Sequence, residues 1–185
     1  MSNKKIKDYS YPKAGDENLQ SNLYERREFY YHKVPRRDKF EKYEDIQEYR
    51  NSVCKKGPFQ PREQQALLPN FLSPETPYQG LLLIHGVGSG KTATAIQVAE
   101  QFKEQAKKYN TKIFILTFGP ASKEGWKSDL LFATRDTYLK DHEMLPQLPK
   151  QERERQRRIA LNQVMQNYNI LSYMTFYKKV LGEKI

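Results

Sequence analysis

The run Gly86-Val87-Gly88-Ser89-Gly90-Lys91-Thr92 places three glycines directly ahead of a lysine and a hydroxyl residue. A nucleoside triphosphate brings about four negative charges that need donors at close range. Glycines let backbone N–H groups turn inward around such an anion, and the dipole of a following helix adds to the attraction. Gly88 and Gly90 would let the backbone approach the phosphates without a Cβ in the way. Lys91 would reach the β and γ phosphates, and the Thr92 hydroxyl would hold Mg²⁺. Gly86 and Ser89 complete the cradle. The general pattern G-x-x-x-x-G-K-[ST] puts its first glycine where this chain has His85, which is read as a structural residue at a strand end. The bland alternative is a glycine-rich turn that binds nothing.

Such a loop needs a strand to enter it and a helix to leave it. Leu81 to Ile84 is a continuous apolar run, the pattern of a parallel strand buried on both faces. A helix is predicted from Thr92 to about Lys108, with Ala95, Ile96, Val98, Ala99 and Phe102 at helical spacing. The reading continues with a strand at Ile113–Phe118 and a helix at Ala121–Phe132 that carries Trp126, Leu130 and Leu131. Residues 133–157 break the rhythm with Pro146, Pro149 and a charged run from Lys150 to Arg158. That run could touch phosphate, but it is read as the solvated start of a helix over Gln151–Gln166. The inner face of that helix would hold Ile159, Leu161, Val164 and Met165. A strand at Tyr168–Tyr173 and a helix at Thr175–Leu181 follow. Upstream, Phe59–Phe71 is a helix with Leu67, Leu68 and Phe71 inward, and Ser73-Pro74-Glu75-Thr76-Pro77 is a breaker-rich link. The fold class is α/β, a parallel sheet with flanking helices.

The 185 residues carry a net charge of +10 and only 37% apolar residues, against roughly 45–50% in an average domain. The charge favours an anionic partner. The single Cys54 excludes an internal disulfide scaffold, and no apolar run approaches the roughly 20 residues of a membrane helix. An intracellular or virion protein is expected, with no membrane partner. Residues 1–57 hold six Ile, Leu or Val but seven Tyr and two Phe. They are read as an aromatic-rich N-terminal arm, with short helices at Ser21–Lys33 and Lys39–Val53. Its aromatics would pack on the rest of the chain, a partner or nucleic acid.

Set in its flanks, the loop resembles motif I of superfamily 2 helicases. That family places an adenine-reading glutamine just upstream, a role that falls on Gln65, with Gln64 and Gln60 as rivals. Gly119-Pro120-Ala121-Ser122-Lys123-Glu124-Gly125-Trp126 resembles motif Ia of the Swi/Snf-like branch, where this strand end faces the nucleic-acid backbone. The resemblance assigns Pro120, Ala121 and Ser122 to that contact. Asn169 to Phe176 resembles the next strand and its exit. Phe71 to Tyr78 followed by Leu81 to Gly86 is similar to the helicase-type ATPases of large nucleocytoplasmic DNA viruses, the group of the poxvirus early transcription factor small subunit and nucleoside triphosphatase. The resemblance implies an incomplete RecA-like P-loop domain over 58–185 that uses ATP and Mg²⁺. It further implies action on nucleic acid, DNA rather than RNA, with viral transcription machinery or the rest of the ATPase as partner, in the virion or host cytoplasm.

One part of that chemistry is missing. An ATPase of this kind needs an acid at a strand end to hold Mg²⁺ and help activate water. The expected strands run into Thr117-Phe118-Gly119-Pro120 and Ser172-Tyr173-Met174-Thr175 instead. Asp129, Asp136 and Asp141 fall in helix or insertion. The chain is therefore expected to be the N-terminal portion of a longer ATPase or a separate truncated product, to bind nucleotide weakly without turnover, and to contain no catalytic residue. The other reading is a non-enzymatic virion or scaffold component with a vestigial P-loop.

Overall fold

The computed structural model describes residues 10–33, 39–53, 63–84, 86, 88–139 and 144–182. The chain divides into two compact units after Leu67. The expected boundary at 57/58 lies outside the described residues, as do His85, Val87 and Asp141.

In the first unit the helix expected over Ser21–Lys33 is two short ones, α1 (Leu19–Leu23) and α2 (Arg27–Tyr30). Arg26 separates them with an extended backbone, φ −90° and ψ 140°. Leu23 and Phe29 are buried, while Tyr30 and Tyr31 are exposed and meet edge to face. The Tyr11 hydroxyl donates to Glu28 over 3.0 Å, and the Arg26 guanidinium lies 3.8 Å from the centre of the Tyr11 ring. Helix α3 spans Tyr43–Val53, starting four residues later than expected, with Glu44 and Asp45 in its first turn where the helix dipole favours acids. Helix α4 covers Glu63–Phe71, so the division after Leu67 falls within it; the expected start at Phe59 lies outside the described residues. Leu67, Leu68 and Phe71 are half-buried.

The second unit is α/β. Phe71 stacks on Tyr78 with ring centres 4.3 Å apart. Thr76 ties the link between them by donating to the Phe71 carbonyl over 2.8 Å. Helix α5 (Lys91–Gln101) follows the glycine loop and α6 (Lys103–Lys108) follows α5. The single helix expected to Lys108 is thus broken at Phe102, whose amide is shared between the Ala99 and Glu100 carbonyls. A left-handed Asn110 (φ 49°) ends α6. Strand β1 (Ile113–Thr117) pairs in parallel with β2 (Tyr168–Ser172), Ile113 opposite Tyr168 and Thr117 opposite Ser172. Between them run α7 (Pro120–Ala133), α8 (Arg135–Tyr138), a 3₁₀ turn at Leu145–Gln147 and α9 (Lys150–Asn167). Proline at the first position suits the start of α7, because its missing N–H is not needed there. Helix α10 (Tyr173–Val180) begins two residues early because the Ser172 side chain caps it, accepting from the Thr175 amide over 3.1 Å.

The period-two alternation of β1 and β2 sets the core. Ile113, Ile115, Tyr168 and Ile170 share the inner face with Ile96 and Ala99 of α5, Trp126, Leu130 and Ala133 of α7, and Val164 and Met165 of α9. On α9 Ala160 and Val164 are buried and Met165 packs on the core beside them, whereas the expected inner residue Ile159 is exposed.

Leu81 to Ile84 is not a strand. Leu82 is 81% and Ile84 83% exposed. A strand exists only as part of a ladder, because its N–H and C=O groups must be paired. The two described strands pair with each other, and 81–84 has no ladder partner among the described residues.

Candidate functional site

The loop 86–92 closes on itself through one carbonyl. The Lys91 ammonium donates to the Gly86 carbonyl over 2.9 Å, and the Ser89 hydroxyl donates to the same oxygen over 2.8 Å. Gly88 and Gly90 have φ of 76° and 81°, where an L side chain costs roughly 1–2 kcal/mol. A Cβ at Gly86 or Gly88 would meet nothing within 4 Å. Gly88 and Gly90 are thus favoured by backbone conformation, and no described neighbour crowds Gly86 or Gly88. Gly90 is also the residue from which α5 starts.

Lys91 and Thr92 are the first two residues of α5, Lys91 exposed and Thr92 half-buried. The end of α5 whose first N–H groups lie outside the intrahelical ladder, the positive end of its dipole, therefore lies at the loop. Ile96 anchors this helix in the core, and Thr94 is fully buried with its hydroxyl on the Gly90 carbonyl at 3.2 Å. Gly86, Gly88, Ser89, Gly90, Lys91 and Thr92 come together, as the sequence predicts from their contiguity. These groups suit a polyphosphate: a cation, hydroxyls and N–H donors, with no carboxylate in the loop.

The other expected site residues belong to other elements. Gln65 is buried on α4 in the first unit. Pro120, Ala121 and Ser122 are exposed in the first turn of α7, just past the end of β1. Asp129 is exposed on α7, and Asp136 belongs to α8. Phe118 follows β1 and Tyr173 follows β2.

A polar network behind the loop helix was not anticipated. The buried Tyr168 donates to Glu100 near the end of α5 over 2.5 Å. Lys103 donates to the other Glu100 oxygen over 3.1 Å and lies 5.1 Å from the centre of the Tyr138 ring. Asn167 donates to the Tyr138 hydroxyl over 3.2 Å. Burial, reinforced by the Glu100 carboxylate, holds the Tyr168 phenol far above its ordinary range. Burial pushes Lys103 down, but its bonds to Glu100 and Tyr138 outweigh this and leave it above the ordinary lysine value. No local signal in the sequence marks this network, since its members are up to 68 residues apart.

The chain is 42% identical over 185 residues to "Putative ATP-dependent RNA helicase L377" of Acanthamoeba polyphaga mimivirus, covering 98% of this chain. It is 34% identical over 127 residues to "Putative ATP-dependent RNA helicase R563" of the same virus, covering 65% of this chain. It is 36% identical over 118 residues to "Putative helicase 009L" of Frog virus 3, covering 63% of this chain. The chain spans 16%, 21% and 12% of the lengths of these three relatives. No protein-family model matches it, and no solved structure does. Its homologues are therefore helicase-named proteins of large DNA viruses, and the α/β unit with its parallel strand pair is compatible with part of a RecA-like fold.

Proposed function

We propose that the chain is the phosphate-binding part of a superfamily 2 viral helicase-type ATPase. The observation that carries this reading is the loop 86–92, with two left-handed glycines, a lysine coiled back onto the loop and an anchored helix start. ATP would exchange its phosphate oxygens for the Gly86 carbonyl at Lys91, freeing the ammonium to swing outward. Gly86, Gly88, Ser89 and Gly90 would supply close backbone approach, and Thr92 would ligate Mg²⁺. Gln65 would read the adenine. The exposed Pro120, Ala121 and Ser122 would face a nucleic-acid backbone. The relatives' names support nucleic acid as the partner; two print RNA, whereas the motif resemblance favours DNA in viral transcription. The place of action would be the virion or host cytoplasm.

In this reading the 185 residues bind ATP without turning it over, since neither β1 nor β2 runs into an Asp-Glu pair. The test is a thermal-shift titration with Mg-ATP alongside a phosphate-release assay. Stabilisation that is lost in Lys91→Ala, without phosphate release, is expected. Equal stabilisation of both proteins would contradict the site. Lys91-dependent phosphate release would contradict the absence of turnover.

A further inference from the structure

A cavity of about 440 Å³ opens beside α7, α9 and the 3₁₀ turn, lined by Leu131, Phe132, Leu139, Leu145, Arg153 and Arg157, with Ser128 and Pro146 also in its lining. Arg153 and Arg157 are one turn apart on α9, so they share a face. Among the described residues neither takes part in an ion pair. The Arg153 Nε is buried without a hydrogen-bond partner among them, an arrangement that costs free energy until an acceptor arrives. The neighbouring Arg155 differs, since it is exposed and paired with Glu152 at 3.7 Å. The opposite wall is apolar, and Phe132 is 53% exposed there.

We propose that this cavity seats one nucleotide of a single-stranded nucleic acid. The guanidinium pair would take the phosphate, with a small rotation of Arg153 bringing Nε into a two-point contact. The base would stack on Phe132 and rest against Leu139 and Leu145. The volume suits a single nucleotide. A net charge of +10 favours a polyanion over an acidic peptide. The charged run around Arg153 therefore contributes a phosphate contact as well as a solvated helix face. The inference rests on the proposed nucleic-acid partnership but names a surface apart from Pro120, Ala121 and Ser122.

The test is fluorescence anisotropy of the 185-residue chain with labelled dT₁₂ and rU₁₂ across a salt series. Arg153→Gln/Arg157→Gln should weaken binding about tenfold and lower the slope of log affinity against log salt by about one. Phe132→Ala should weaken binding about fivefold or more and leave the salt slope unchanged. Arg157→Gln alone, at an exposed position, guards against misfolding and should give part of the loss. Unchanged affinity and slope in the double variant would overturn the cavity while leaving the wider partnership standing. No binding of either oligonucleotide by the parent chain would remove the partnership itself. Binding of a Glu/Leu-rich peptide that is lost in the double variant, with oligonucleotide affinity unaltered, would overturn the inference in favour of protein docking.

Discussion

Tyr168, the first residue of β2, donates its phenolic hydrogen to Glu100 of α5 over 2.5 Å, and so ties the helix that leaves the glycine loop to the sheet. The bond joins a buried hydroxyl to a carboxylate, the kind of hydrogen bond worth about 1.5–3 kcal/mol. Tyr168→Phe keeps the ring and removes only the donor. It should cost about 1–3 kcal/mol, with a Tm fall of roughly 2–4 °C for each kcal/mol in a chain of this size. An unchanged urea midpoint would show that the bond contributes nothing net.

The same bond sets an alkaline limit. Tyr168 and Lys103 both titrate above their ordinary values in the folded chain. Their contribution is complete below about pH 10, where unfolded tyrosine and lysine keep their protons. As pH rises further, the unfolded chain releases protons that the folded chain retains, and stability falls. The urea midpoint should therefore drop above about pH 10, less steeply in Tyr168→Phe. Equal slopes in the two proteins would count against the assignment.

Leu130 of α7 is fully buried in the core beside the half-buried Trp126, the single tryptophan. Leu130→Ala should destabilise by about 2–5 kcal/mol through lost burial and an unfilled space. Trp126 fluorescence during urea unfolding reports it. A loss under about 1 kcal/mol would mean that α7 is not packed as described.

Leu82 and Ile84, exposed in the run 81–84, make the opposite prediction. Leu82→Lys and Ile84→Lys should each change the stability of this chain by no more than about 0.5 kcal/mol, as surface substitutions do. Loss of 2 kcal/mol or more at either site would restore the expected buried strand.

These cases show which features the sequence could reveal. Helices α7 and α9 and strands β1 and β2 begin and end within about two residues of the reading, because Pro120, Pro149 and the spacing of Trp126, Leu130 and Val164 are local signals. Leu81 to Ile84 forms no strand despite its apolar run, because such a run states only that a segment can be buried, and a strand also needs a neighbour. The break at Phe102 and the one at Arg26 have no proline or glycine to announce them. The glycine loop was legible because its residues are contiguous and its demands on φ at Gly88 and Gly90 are local. Tyr168, Glu100, Lys103, Tyr138 and Asn167 converge only through the tertiary fold, and Arg153 turns inward from a run that otherwise reads as solvated.

Nucleotide binding through Lys91 is tested most directly by titrating the 185-residue chain with a fluorescent ATP analogue and Mg²⁺, beside Lys91→Ala and Gly88→Ala. Lys91 is exposed, so its removal should leave the fold intact by circular dichroism. The account predicts saturable binding that falls at least tenfold in Lys91→Ala and falls also in Gly88→Ala, where φ of 76° resists a side chain. Binding that is equal in the parent chain and Lys91→Ala, or absent from a folded parent chain, would contradict it.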